Sequence, residues 1–186
     1  MIQRIAVFCG SASGSRPEYL QAARRLGALM GQQKRTLVFG GCQDGLMAEL
    51  SRAVLSAGGR VESEFIRGLY RDSDHLPAAE EHLWDTLEER TLALIRRSEA
   101  CIALPGGMGT LDELTEVFAR MQLGMPRRPV GLLNVCGYYD PLARFAQAMC
   151  REGFLSPEWA DLFFLSATPE ALLTALDEWK APGTSG

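Results

Sequence analysis

Lysine is almost missing from this chain. Lys34 and Lys180 are the only two, against 17 arginines. Neither adjoins a glycine-rich turn, which argues against chemistry through a lysine Schiff base on pyridoxal phosphate. Paired cysteine is missing as well. Cys9, Cys42, Cys101, Cys136 and Cys150 are odd in number and widely spaced, and no C-x-x-C occurs. That excludes a disulfide framework or a zinc site as the organising device, and no cofactor or metal is expected. Reduced thiols point to a cytoplasmic location. No apolar run approaches the roughly 20 residues that span a bilayer. The apolar stretch in MIQRIAVFCG is too short for a signal peptide, so no membrane partner is expected. Excess positive charge is absent too. The net charge is −4 and the isoelectric point about 5.3, which gives no footing for a nucleic-acid surface. There is no internal repeat and no low-complexity segment.

What is present is alternation. At 186 residues the chain has the length of one domain, expected over residues 1–180 with a flexible tail over 181–186. Apolar runs at Ile2 to Cys9, Leu37 to Phe39, Val61 to Ile66, Ala100 to Leu104, Val130 to Val135 and Trp159 to Leu165 read as strands. The third is unusually polar, with Glu62 and Glu64 inside it. Helical spacing runs from Pro17 to Gln32, Gly45 to Ala57, Glu81 to Arg97, Leu111 to Leu123, Tyr139 to Glu152 and Pro169 to Trp179. Residues 68–80 read as a loop. Strands that alternate with helices predict an α/β fold, a doubly wound, Rossmann-like parallel sheet with helices on both faces.

Three glycine-rich turns follow strands: Gly10 to Ser15, Gly40 to Gly45 and Pro105 to Gly109. In such a sheet they fall on the same edge, where ligands bind. The first turn reads C-G-S-A-S-G and lacks the second glycine of the dinucleotide fingerprint G-x-G-x-x-G. No acidic residue ends the second strand either. A nicotinamide cofactor is therefore not expected. Ser11 and Ser13 can donate hydroxyls to a nucleotide, or simply belong to a helix entry. Asp44 can bind a ligand hydroxyl, or cap its own helix.

The third turn is the centre of the site. Glycines let a ligand approach the backbone closely, and amides at a helix start favour an anion. Asp112 and Glu113 are expected in the first helical turn, where the dipole would keep a carboxylate ionised and make it a poor general acid. Thr110 with Glu113 also fits a capping box, a purely structural account. Arg90 falls at the border of the apolar stripe of the 81–97 helix, next in projection to Leu83. It is either a phosphate or carboxylate partner or a surface arginine. His75 and His82 read as solvent-facing.

P-G-G-M-G-T-L-D-E at 105–113 resembles the P-G-G-x-G-T-x-x-E signature of the LOG proteins, cytokinin riboside 5′-monophosphate phosphoribohydrolases, many of which carry the label lysine decarboxylase. The resemblance runs from Ile5 to about Leu155. It takes in V-F-C-G-S, G-L-M at 45–47 and V-G-L-L-N-V-C-G-Y-Y at 130–139. It implies a Rossmann-like dimer that hydrolyses a nucleoside 5′-monophosphate to free base and ribose 5-phosphate. Glu113 and Arg90 match the family's catalytic residues. Gly106, Gly107, Met108, Gly109 and Thr110 match its phosphate loop. Ser11, Gly45, Met47, Asp112 and Glu116 are the further expected substrate contacts. The helix around Arg120 to Leu123 is the expected dimer surface. The chain departs from the pattern at Cys42 and Ala48, which replace glycines, at Leu87, which replaces Met, and at Thr91, which replaces Lys. Two other readings stay open: a nucleotide-binding protein of this fold without hydrolase activity, and a glycosidase for another nucleotide of specialised metabolism.

Overall fold

The computed structural model describes residues 1–69, 71, 74–76, 79–160 and 163–181. Residues 182–186 of the expected 181–186 tail, residues 70, 72, 73, 77 and 78 of the expected 68–80 loop and residues 161–162 of the expected 159–165 strand lie outside them. The strands are β1 (Arg4–Phe8), β2 (Thr36–Phe39), β3 (Arg60–Ile66), β4 (Glu80–Trp84), β5 (Ala100–Ala103), β6 (Val130–Leu133) and β7 (Phe163–Ser166). The helices are α1 (Pro17–Gln32), α2 (Gly45–Ser56), α3 (Leu87–Arg96), α4 (Met108–Gln122), α5 (Asp140–Arg151), α6 (Pro157–Ala160) and α7 (Pro169–Glu178). All pairings are parallel, and the strands lie in the order β4-β3-β2-β1-β5-β6-β7. The Rossmann-like class is as expected.

The central strands β1, β2, β5 and β6 are short apolar runs because both sheet faces are covered there. Side chains alternate across the pleat. Ile5 and Val7 enter the core under α1, α2 and α7, while Ala6 and Phe8 enter the opposite core with Leu114, Val117 and Met121 of α4. From β1 the chain builds outward to β4, then returns to place β5 on the other side of β1. That reversal opens a crevice between the carboxyl ends of β1 and β5. Among the described residues, no helix is long and apolar enough to cross a membrane.

Three element assignments change. Residues 81–97 are not one helix. Glu80–Trp84 is strand β4, paired with β3 so that Leu83 lies opposite Phe65. Leu83 therefore shares no helical face with Arg90. A capping box starts α3 afresh: the Thr86 hydroxyl accepts from the Glu89 amide at 3.2 Å, and the Glu89 carboxylate accepts from the Thr86 amide at 3.2 Å. At the other end, the expected 159–165 strand is the short α6 followed by β7 at Phe163–Ser166. Finally, α4 begins at Met108 with Gly107 as its N-cap, so Asp112 and Glu113 lie beyond the first turn, which holds no acid. No side chain caps α4, so Thr110 and Glu113 form no capping box.

The polar third strand has a partner set of its own. Glu62 and Glu64 are buried. The Arg97 guanidinium reaches Glu62 at 3.0 Å, Glu64 at 3.0 Å and His82 Nε2 at 2.7 Å. Arg4 also pairs with Glu62, and Trp84 Nε1 donates to Glu64 at 2.6 Å. The two carboxylates and His82 have the donor types of a metal site, but Arg97 supplies the positive charge among them. His82 is thus half-buried in a network and not solvent-facing, while His75 is exposed and pairs with Glu81 at 2.9 Å.

Candidate active site

The three glycine turns meet at the crevice. The Gly10 amide donates to the Pro105 carbonyl at 3.1 Å, and the Leu46 amide donates to the Gly10 carbonyl at 3.1 Å. Gly45 has φ +56°, and a Cβ there would lie 2.4 Å from the Ser11 carbonyl oxygen. Only glycine allows α2 to start this close to the first loop.

Around this junction lies a cavity of about 390 Å³, lined by Cys9 to Ser11, Met47, Leu87, Arg90, Gly107 to Thr110, Asp112 and Glu113. Nine of the twelve expected contact residues therefore share one cavity: Ser11, Met47, Arg90, Gly107, Met108, Gly109, Thr110, Asp112 and Glu113. The other three do not line it. Gly45 and Gly106 shape the backbone behind it. Glu116 is turned to Arg120, whose Nε donates to it at 2.6 Å, because the two sit one helical turn apart on α4.

Glu113 is buried on α4, and Arg90 Nη1 donates to its carboxylate. Arg90 Nε donates to the Glu64 carbonyl at 3.3 Å. Arg90 crosses directly over Gly40, where a Cβ would lie 1.9 Å from Nη2. The second glycine turn thus has a task the sequence left unstated: Gly40 makes room for Arg90. Arg90 is no loose surface arginine. Its helix begins at Thr86, so the guanidinium is carried at the start of α3 toward α4.

Burial, more than the helix dipole, sets the state of Glu113. Desolvation pushes its carboxyl above the usual carboxylate range, and the Arg90 charge and hydrogen bond pull it back down. The net direction is upward, so Glu113 is better suited to exchanging a proton than the sequence implied. Cys9 stands beside it as a buried, neutral thiol, its ionisation pushed up by desolvation.

On the far side of Arg90 is a second cavity of about 220 Å³, lined by Gly40, Cys42, Glu64 to Ile66, Leu69, Arg71, Asp74 and Arg90. Arg71 straps it to the second turn by an ion pair to Asp44 at 2.9 Å, and pairs with Asp74 of its own segment at 2.8 Å. Asp44 occupies the N-cap of α2 without bonding its amides, so it serves the strap and not the cap. Thr91 lines neither cavity. Its hydroxyl is buried without a hydrogen-bond partner among the described residues. Lys34 donates to the Gly58 carbonyl at 3.2 Å, and Lys180 is exposed. With neither lysine in the lining of the two cavities, the site does not fit a Schiff-base cofactor.

A glycine turn at a topological switch point, with a buried Arg–Glu pair beside it, defines an α/β protein whose crevice has the chemistry to hold an anionic small molecule. A family model described as "Possible lysine decarboxylase" matches residues 47–176. The probable cytokinin riboside 5′-monophosphate phosphoribohydrolase LOGL9 of Oryza sativa subsp. japonica is 40% identical over 178 residues, 95% of this chain and 78% of that protein. Cytokinin riboside 5′-monophosphate phosphoribohydrolase LOG7 of Arabidopsis thaliana is 39% identical over 179 residues, 96% and 82% of the two chains. The chain belongs to this LOG family. Among solved structures, the molybdenum cofactor binding protein of Rippkaea orientalis shares the fold, with a TM-score of 0.71 at 21% identity over 95% of this chain and 96% of that one. The molybdenum cofactor carrier protein of Chlamydomonas reinhardtii gives 0.69 at 18%, over 95% and 97%.

Proposed function

We propose that this protein hydrolyses the N-glycosidic bond of a nucleoside 5′-monophosphate, releasing the free base and ribose 5-phosphate. The observation that carries the reading is the buried Arg90–Glu113 pair, placed one turn of α4 from the glycine-rich amides of the same cavity. In this reading the 5′-phosphate rests on the amides of Gly107 to Thr110, where unpaired N–H groups and the helix dipole favour an anion. The ribose then lies over α4, with Asp112 at its hydroxyls and Glu113 facing C1′. Cleavage passes through an oxocarbenium-like state. Glu113 stabilises that positive charge and takes a proton from the attacking water. The water oxygen bonds to C1′, the C1′–N bond breaks, and the base leaves with a proton. Arg90 holds the carboxylate in place and tunes its ionisation.

The relatives named above act, by their names, on cytokinin riboside 5′-monophosphates. We extend that here to AMP and N6-modified AMP. The exposed Met108 and Leu87 at the cavity supply apolar surface for a substituent on the base. The free thiols support a cytoplasmic setting.

The test is direct. The protein is incubated with AMP, isopentenyladenosine monophosphate, GMP and CMP, and free base is followed by chromatography. Base is expected from the adenine nucleotides. Glu113→Gln is expected to lose at least about 100-fold in turnover, the usual scale for a positioned proton-transfer group, while still binding AMP. Absence of base from every nucleotide, with AMP bound, would favour the non-hydrolytic binding protein.

A further inference from the structure

The segment after β6 lies behind the cavity and not within it, yet it grips the glycine turn. Residues Val135–Gly137 form a single 3₁₀ turn. Cys136 has φ 54° and Gly137 φ 72°, so a non-glycine residue is held in the left-handed region, a conformation that persists only where the surroundings enforce it. Asn134 does the enforcing. Its side-chain carbonyl accepts from the Tyr139 amide at 2.7 Å, and its Nδ2 donates to Asp140 at 2.7 Å. The tight turn brings two consecutive tyrosines against β5. Their rings meet edge to face at 5.2 Å, and Tyr19 packs on Tyr138 at 5.9 Å.

Both hydroxyls end on the same stretch of backbone. Tyr139 Oη donates to the Leu104 carbonyl at 2.6 Å, and Tyr138 Oη donates to the Gly106 carbonyl. The Pro105 carbonyl between them accepts from the Gly10 amide at 3.1 Å. Three successive carbonyls are thus committed to protein donors. A carbonyl oxygen turned into the cavity would repel a bound anion. In a trans peptide, moreover, the C=O and N–H point in opposite directions, and no described peptide is cis. Holding the Gly106 carbonyl toward Tyr138 therefore turns the Gly107 amide to the other side, and Gly107 lines the cavity.

We propose that Tyr138 and Tyr139 are positioning residues for the anion turn. Together with Gly10, they keep the carbonyls of Leu104, Pro105 and Gly106 out of the cavity, so that a phosphate meets only amides. Burial keeps the Tyr139 phenol protonated, its ionisation pushed upward, so its hydroxyl keeps the proton it donates. This inference rests on the reading of the turn as the 5′-phosphate site.

The test uses calorimetric titration of the whole protein with inorganic phosphate and with ribose 5-phosphate, alongside Tyr138→Phe and Tyr139→Phe. Each variant removes a hydroxyl and keeps the ring. The expected result is binding by the parent protein and about fivefold weaker binding by Tyr138→Phe, the scale of one lost hydrogen bond. The ratio of kcat/KM for AMP over adenosine should fall by a similar factor, because adenosine has no phosphate for the turn to hold. Tyr139→Phe should change both in the same direction. Equal binding by the parent and both variants overturns the positioning role and leaves the hydrolase reading intact. A matched fall for AMP and adenosine overturns it too, since it marks a general structural defect. No binding of either anion by the parent removes the phosphate site itself, and the proposal with it.

Discussion

At the scale of residues, the site turns on one ion pair whose members come from distant positions. Glu113 was legible because the P-G-G-x-G-T-x-x-E pattern fixes its place relative to the glycine turn. Its protonation behaviour was not, since the sequence shows neither its burial nor the distance to the helix start. Those two facts reverse the expected direction of its shift, from downward to upward. Burial raises the pKa and Arg90 lowers it. Removing the arginine should therefore raise it further. If Glu113 acts as the base, activity falls as pH drops through the folded pKa, so the acid limb of the pH–rate profile should lie above the ordinary carboxylate range. In Arg90→Ala that limb should move to higher pH, with turnover reduced at every pH. A profile of kcat/KM against pH for both proteins checks this; an unmoved limb would show that Glu113 does not govern it. Burial of a carboxylate also sets a sign for stability. A folded pKa above the unfolded one means that ionised Glu113 costs stability, and the cost is relieved as pH falls through the folded value.

At the scale of elements, most strands and helices followed from apolar periodicity, and the errors have physical causes. Leu83, Trp84 and Leu87 happen to match a helical stripe. Leu83 belongs instead to a five-residue strand whose identity depends on pairing with β3, a contact no local pattern reveals. The signal that could have separated them was present: T-x-x-E at 86–89 is the capping box that starts α3. The same pattern at 110–113 was misleading, because α4 begins earlier, at Met108 after Gly107. The departure at Thr91 also looked different in sequence. The family pattern has Lys there, and in this chain the helix turns the threonine into the protein interior. Cys42, by contrast, does line the second cavity. Because α3 carries Arg90, its start matters to the site. Thr86→Ala should cost about 1 kcal/mol of stability, the usual value for a lost N-cap, measurable by urea denaturation. A modest loss of turnover should accompany it as the first turn loosens.

At the scale of the whole molecule, one expectation concerns assembly. We propose a homodimer, supported by the character of one face. An apolar groove of about 210 Å³ lies among α4, α5, α6 and β7, lined in part by Leu111, Phe118, Met149 and Trp159. Helix α5 buries only Ala146 fully, and Phe145 is 61% exposed beside it. Leu123, which ends the expected interface helix, is 87% exposed. Light scattering on the eluting peak of a size-exclusion column should return twice the mass of the 20.4 kDa chain, and Phe145→Glu should shift it to the single-chain mass. A parent protein of single-chain mass would remove the proposal. The parallel sheet and the meeting of three glycine turns at one edge were legible from the alternation alone. The closeness of those turns was not, because it depends on hydrogen bonds between Gly10, Leu46 and Pro105. The strand order also divides the site. The first two turns and Arg90, on α3 directly after β4, precede β5 in the chain, while the third glycine turn and Glu113 follow β5 on the other side of β1. Neither half of the sheet holds both partners. Catalysis would thus act as a reporter of long-range docking: heat or denaturant that parts α3 from α4 would silence the enzyme even while each half kept its own helices.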